Sequence, residues 1–407
     1  MKKFIISICF LLSLTQVNAQ KFEFDGKRKR ETISFRMVRN LMIIPLSING
    51  KGPYNFVLDT GVGLMIISDP KLIDSLQISN LRSIQIIGFG GGENLNAYIS
   101  QGINLSLGRT KAKNISSAIL KTDIFELSNY AGIQIHGLIG FEFFNSFIVR
   151  INFRNHTLTL FRPETSYIPG KGFKVPISID DRKPYIISEI VLESGEKVTG
   201  KFIIDTGAGH PVSLESNKGA PFDLPENRIN GNLGIGLTGP VSGHIGRIRS
   251  LKLGKYVLKD VIAAFPDYKE LPEGISQLNR NGNMGIAILK RFGVIFDYNR
   301  SSIYLKPSYR LKEPFEHDMT GMELIWAGNS FERLIINRVE PNSSASSAGI
   351  EKGDEILAIN FKPVSDMKED EIAEMFKSGD KKNFVIDIIR TRSKTIERII
   401  LRLKKRI

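Results

Sequence analysis

"FVLDTGVGLMIIS" runs from residue 56 to residue 68, and "FIIDTGAGHPVSL" runs from residue 202 to residue 214. Each stretch ends an apolar run in Asp-Thr-Gly and continues with Val-Gly or Ala-Gly. Asp59 and Asp205 are 146 residues apart, and the same offset carries Gly88 onto Gly234, Gly90 onto Gly236 and Gly108 onto Gly254. An offset of 145 carries Gly137 onto Gly282, Gly140 onto Gly285, Phe147 onto Phe292, and "INF" at 151–153 onto "FDY" at 296–298. One Asp-Thr-Gly is a weak signal at average composition. Two copies in a collinear frame of glycines mark a duplicated unit, and that reading precedes any choice of fold.

Working outward from the two tripeptides, the pattern is that of strands. "MIIPLSINGKGPYNFVLDTG" reads as an apolar run, a turn at Asn49-Gly50 and a second run ending at the aspartate. "YIISEIVLESGEKVTGKFIIDTG" repeats that plan with a turn near Ser194 and Gly195. Glycine-bearing hairpins follow in both units, at 84–103 and 230–249, and then the alternating strands "GINLSLG" and "IRSLKLG". No long helical period interrupts either unit, so each is expected to be mostly β, with its aspartate at the end of a buried strand.

The first nineteen residues stand apart. Lys2 and Lys3 precede an apolar stretch from Phe4 to Leu14 and a small-residue site ending at Ala19. This is the pattern of a secretory signal peptide, removed on export to the periplasm or the cell exterior. The stretch is short for a membrane span, and no later run reaches the roughly 18 apolar residues a spanning helix needs. Cys9, the one cysteine, lies inside this leader, so no disulfide is expected in the mature chain. Without the leader, 407 − 19 = 388 residues remain, and the net charge of +14 drops by two to +12. That length suggests two to four domains. Basic runs at 27–30 ("KRKR") and 402–407 ("RLKKRI") are read as solvated termini rather than a nucleic-acid surface.

An apolar strand entering Asp-Thr-Gly, a glycine hairpin some thirty residues on, and an apolar pair before glycine ("LIG" at 138–140, "NMG" at 283–285) resemble the aspartic peptidases of the pepsin and retropepsin type. Retropepsin-like chains carry one Asp-Thr-Gly and dimerise, whereas pepsin-like chains carry both. The resemblance covers roughly residues 35–308 and implies a single-chain enzyme with two β-barrel-like lobes, expected at 20–163 and 164–308. A homodimer pairing each Asp-Thr-Gly with its mate in another chain remains open at this stage, though a monomer with two lobes per site is expected.

The chemistry explains the pairing. Hydrolysing a peptide without metal or covalent intermediate requires one carboxylate to deprotonate water and one carboxylic acid to protonate the scissile carbonyl. Two carboxyls about 3 Å apart share a proton and supply both roles, as is established for aspartic proteases as a class. Asp59 and Asp205 are the candidates, and which of them is the base cannot be read from sequence. Gly61 and Gly207 permit a tight turn and close backbone approach. By resemblance, Thr60 and Thr206 would cross-link the two loops beneath the aspartates. Val62 and Ala208 stand where pepsin-like enzymes carry a serine or threonine; without that hydroxyl the dyad should titrate higher, with an optimum nearer neutral.

The hairpins bearing Gly88, Gly90, Gly234 and Gly236 are flap candidates, with Phe89 and Tyr98 as aromatics in the first, and His210 could line a subsite. Five histidines without a His-Glu-x-x-His spacing leave no convincing metal site, and no cofactor is expected.

After "SIYLKPSYRLKEP" the pattern changes. "SAGIEKGDEILAIN" resembles the PDZ domain, and residues 315–407 match that domain in length and order, apart from Phe361 where a glycine is usual. Asp366 and Glu369 fit a capping box and Gly379 a helix end. By resemblance, the backbone N–H groups of Gly321, Met322, Glu323 and Leu324 would face the end of a peptide added as a strand. Glu323 puts an anion where a carboxylate would bind, which counts against a C-terminal carboxylate and leaves internal peptides or a segment of this chain as candidate occupants. The expected whole is a mostly β, exported aspartic endopeptidase acting on polypeptides, with a PDZ domain for peptide recognition or regulation. The alternative is a peptide-binding scaffold that keeps the peptidase fold.

Overall fold

The computed structural model describes residues 20–86, 95–166, 170, 172–236, 239–267 and 280–407. The leader and the first flap's Gly88, Phe89 and Gly90 lie outside the described residues.

The protein is mostly β, with a separate C-terminal sheet for the PDZ domain. In the first lobe, Leu41–Ile48 and Lys51–Leu58 form the hairpin that Asn49-Gly50 predicts, with both turn residues at positive φ (50° and 78°). Strand Lys51–Leu58 then pairs in parallel with Gly137–Ile139, which pairs with Met65–Ile67. Met65–Ile67 pairs with Thr110–Leu120, which pairs with Leu95–Leu107, and that strand returns to Leu41–Ile48. These strands close a barrel. The second lobe repeats the circuit through Lys183–Val191, Lys197–Ile204, Gly282–Met284, Val212–Leu214, Tyr256–Pro266 and Gly239–Leu253.

A third sheet belongs to both lobes. Its order runs Phe173–Pro176, Ser302–Pro307, Phe292–Asp297, Ile148–Asn152, Thr157–Phe161, Arg30–Ser34. The central pair is antiparallel, with Arg150 opposite Ile295 and Val149 opposite Phe296. Arg150 and Ile295 are equivalent positions at the offset of 145, so the duplication's pseudo-twofold axis passes through that pair. One apolar cluster continues through both barrels and this sheet, and it includes Leu58, Ile204, Phe147, Phe292 and Phe296. Phe144 meets Phe296 edge-on at 5.0 Å, which locks one unit onto the other. Among the described residues, no helix is long and apolar enough to cross a membrane.

The PDZ sheet runs Met322–Ala327, Arg333–Val339, Glu355–Ile359, Asn383–Ile389, Ile396–Arg402, with Lys362–Pro363 on Glu355–Ile359. It has its own core around Trp326, Ile336, Ile356, Phe376 and Ile386. Between Lys362–Pro363 and Asn383–Ile389 lies the helix Glu369–Met375, and its start differs from the expected capping box. Lys368 is the N-cap with no side-chain hydrogen bond, and Asp366 sits in the preceding 3-10 turn Val364–Asp366. Three acidic residues in the first turn, Glu369, Asp370 and Glu371, favour the helix N-terminus instead through its dipole.

Candidate active site

Asp59 and Asp205 each follow the last residue of an inner barrel strand, and their backbone N–H groups donate to Ile139 and Met284, both at 2.9 Å. The "LIG" and "NMG" strands are therefore the floor that fixes each aspartate. Their closing glycines have no room for a side chain. A Cβ on Gly140 would collide with the carbonyls of Asp59 and Val62, and one on Gly285 with those of His210 and Ala208.

Beneath the aspartates the two loops exchange hydroxyls. Thr60 N–H donates to Thr206 Oγ1 at 3.0 Å, and Thr206 N–H donates to Thr60 Oγ1 at 2.9 Å. Each hydroxyl donates onward across the lobe boundary, Thr60 Oγ1 to the Ile204 carbonyl at 2.6 Å and Thr206 Oγ1 to the Leu58 carbonyl at 2.9 Å. Both threonines are fully buried. This lattice brings residues far apart in sequence to one point. The carboxyls of Asp59 and Asp205 are thereby brought close together, each against the glycine of the opposite loop. A Cβ on Gly207 would overlap the Asp59 carboxyl at 2.3 Å, and one on Gly61 would make a tight 3.0 Å contact with the Asp205 carboxylate, so each loop packs its glycine closely against the other lobe's aspartate.

The two carboxyls are held unequally. Asp59 Oδ1 accepts from Gly61 N–H at 2.7 Å. Asp205 Oδ1 accepts from both Gly207 N–H at 2.8 Å and Ala208 N–H at 3.1 Å, and its Oδ2 accepts from Asn283 Nδ2 at 3.5 Å. Burial, and then the charge of Asp205, push Asp59 well above the ordinary carboxylate range, and the Gly61 amide only partly offsets them. Asp59 is thus the carboxyl that holds its proton past the ordinary range, and Asp205 accepts from three donors where Asp59 accepts from one.

Asn283 is a site residue that the motif reading passed over. It occupies the polar first position of "NMG", where the other lobe has Leu138, and that departure was the available signal. Because a carboxylate can only accept, the Asn283 amide nitrogen faces Asp205 and its oxygen faces His210 Nε2, at 2.6 Å. His210 therefore orients Asn283 and carries its hydrogen on Nε2. Burial pushes this imidazole below its ordinary value and keeps it neutral.

Two turns brace the loops from the opposite lobes. Asn40, at φ 68°, donates from Nδ2 to the Gly209 carbonyl at 3.1 Å, and Arg182, at φ 61°, reaches the Gly63 carbonyl at 3.4 Å. Gly63 and Gly209 are equivalent positions of the repeat. The second flap candidate is a hairpin of Arg228–Gly236 and Gly239–Leu253, with Gly234 at a bulge (φ 123°) and Gly236 paired with Gly239. Its Asn232 side chain donates to Glu323 of the PDZ domain at 3.4 Å. Tyr98 stacks with Lys121, whose Nζ is 4.5 Å from the ring centroid.

In the PDZ domain the predicted peptide-end loop is occupied by its own chain. Asp318 Oδ1 accepts from Thr320 N–H at 2.9 Å and Gly321 N–H at 2.8 Å, and Met322 N–H donates to Thr320 Oγ1 at 3.0 Å. The expectation that Gly321 and Met322 present free N–H groups is corrected accordingly. Glu323 is paired with Arg338 at 2.9 Å, and Leu324 belongs to the edge strand considered below.

Two barrels share one sheet and bring paired Asp-Thr-Gly loops together. Residues 44–143 match the aspartyl protease family model, and residues 318–386 match the PDZ domain model. The chain thus combines an aspartyl protease domain with a C-terminal PDZ domain. No curated protein sequence matches it. Among solved structures it is similar to a photosystem II D1 C-terminal processing protease, at 16% identity and a TM-score of 0.20. That similarity covers 21% of this chain and 22% of that one, so the chain spans about a fifth of the protein it matches.

Proposed function

We propose that this chain is an aspartic endopeptidase that hydrolyses polypeptides with one dyad, Asp59 and Asp205, built within a single chain. The observation that carries the reading is the exchange between Thr60 and Thr206, which sets each aspartate's carboxyl against the glycine of the opposite Asp-Thr-Gly loop. In the proposed reaction Asp205, ionised and supplied with N–H donors, takes a proton from a water between the carboxyls. The resulting hydroxide attacks the scissile carbonyl carbon. Asp59 gives its proton to the carbonyl oxygen, and collapse of the tetrahedral intermediate returns a proton to the leaving amine. His210 and Asn283 act through Asp205 as positioning residues. We assign 20–163 and 164–308 as the two lobes, residues 1–19 as a leader removed on export to the periplasm or cell exterior, and the monomer as the working form.

The test is cleavage of an unfolded protein between pH 3 and 8 by the chain beginning at Gln20, alongside Asp59→Asn and Asp205→Asn. Cleavage by the parent with near-complete loss in both variants supports one shared dyad. An inert parent whose PDZ domain still binds peptide would favour a scaffold. The mass of the chain recovered after secretion tests the leader.

A further inference from the structure

A strand added to a PDZ domain pairs with the edge strand beside its helix, here Met322–Ala327 beside Glu369–Met375. Ile336 lies opposite Leu324, and both backbone groups of Ile336 are used on its far side, N–H to Asp354 at 2.9 Å and C=O from Gly353 at 2.7 Å. The backbone groups of Leu324 therefore point to the outer edge, where an added strand would seek them. Arg39 of the peptidase already holds one. Its Nη1 donates to the Leu324 carbonyl at 2.8 Å and to the Tyr130 carbonyl at 2.9 Å, with its guanidinium 4.1 Å from the Tyr130 ring centroid. The backbone N–H of the same residue donates to Asp370, on the groove helix, at 2.9 Å. One residue bridges both walls of the groove. Helix Leu127–Ala131 packs on the same strand, and the Trp326 ring lies against Gly132, where a Cβ would come within 2.7 Å.

The neighbouring residue serves the dyad. Asn40 donates to the Gly209 carbonyl in the second Asp-Thr-Gly loop and accepts from Lys290 Nζ at 3.1 Å. Arg39 (φ 47°) and Asn40 (φ 68°) form one tight turn, so movement of either residue moves the other. The ligand's class is limited by Asp318, whose carboxylate fills the N–H cradle a free C-terminus would need.

We propose that the PDZ groove is a latched binding surface for an internal, extended polypeptide segment, and that such a segment displaces Arg39 and thereby loosens the Asn40 brace on the Asp205 loop. Binding at the groove and order at the dyad loop are then coupled, and coupling is reciprocal. The consequence for cleavage rests on the peptidase reading; the binding and the loop motion do not.

Trp326 is the single tryptophan of the chain and sits in the latch, so its fluorescence reports release. The experiment uses the chain from Gln20 carrying Asp59→Asn, titrated with reduced, carboxymethylated ribonuclease A, which lacks tryptophan. The expected result is a saturable red shift of Trp326 emission, with Arg39→Ala binding about tenfold more tightly because the competing contact is gone. Asp370→Asn, which spares the Arg39 side chain, should tighten binding in the same direction. Hydrogen exchange at Gly207 and Ala208 should accelerate both on binding and in Arg39→Ala. A ten-residue fragment of the probe should bind equally as the free acid and as the amide. Equal affinity of parent and both variants, binding without change at Trp326 or in loop exchange, or a preference for the free acid would each overturn the proposal. Destruction of the probe by the Asp59→Asn chain would count against the dyad alone.

Discussion

Thr60 and Thr206 each donate a backbone N–H to the other's hydroxyl, at 3.0 and 2.9 Å, in a region sealed from solvent. The exchange is symmetric, so neither lobe can place its aspartate without the other. Thr206→Val removes the hydroxyl while keeping the shape, and leaves the Thr60 N–H and the Leu58 carbonyl without partners. The expected cost is about 3 kcal/mol in denaturant unfolding, with loss of cleavage, whereas Thr206→Ser should recover most of both.

The dyad's pH dependence follows from its asymmetry. Asp59 is raised well above its ordinary 3.8 by burial first and the Asp205 charge second. A raised carboxyl keeps its proton as pH climbs through the ordinary carboxyl range, so the alkaline limb of kcat/KM should lie well above that value. Asn283→Leu copies the other lobe and withdraws the amide donor from Asp205 Oδ2, so kcat/KM should fall about fivefold, roughly the worth of one hydrogen bond. An activity maximum below about pH 3, given ordinary carboxyl values near 4, would rule out the first expectation, and an unchanged kcat/KM in Asn283→Leu would rule out the second.

Glu142 is 3% exposed, with no well-formed hydrogen bond to either carboxyl oxygen among the described residues. Burial pushes it from 4.5 to about 7, outweighing its own amide, the Met65 amide and the Arg182 charge. Because the folded value is the higher one, the neutral carboxyl is fully tolerated below about 4.5. Stability should fall as pH rises from there to about 7. Glu142→Gln should abolish that slope and stabilise the protein at pH 8 by about 3 kcal/mol. A parallel pH dependence in parent and variant would refute this account.

The Tyr298 hydroxyl is buried without a hydrogen-bond partner among the described residues, and its ring stacks on Phe144 at 5.8 Å. Tyr298→Phe retains the ring and deletes the unpaired group. A gain of about 1 kcal/mol in unfolding free energy is expected, and a loss of that size would count against an unpaired hydroxyl.

Phe361 departs from the glycine usual at its turn and sits at φ 66°, with Asn360 at φ 49°. The left-handed region costs a side chain about 1 kcal/mol or more. The ring is 66% exposed, and Arg398 above it at 4.9 Å returns about half of that cost. Phe361→Gly should therefore raise the PDZ melting temperature slightly, and a fall would mean that the ring contributes more than its contact with Arg398.

By itself the sequence determined the two Asp-Thr-Gly turns, their barrel strands, the duplicated frame and the PDZ order, because these are written in local periodicity, in turn residues and in glycines that no side chain can replace. The pseudo-twofold pair Arg150 and Ile295 was implicit in the 145-residue offset, but its meeting in one sheet was a matter of folding. Tertiary structure alone decided that Asn283 and His210 support Asp205, that Asp318 fills the PDZ cradle, and that Arg39 bridges the groove while Asn40 steadies the Asp205 loop. The physical reason is that each of these is a hydrogen bond whose partner is chosen by proximity after folding. Arg39 and Leu324 are 285 residues apart, and no local pattern at either position specifies the other.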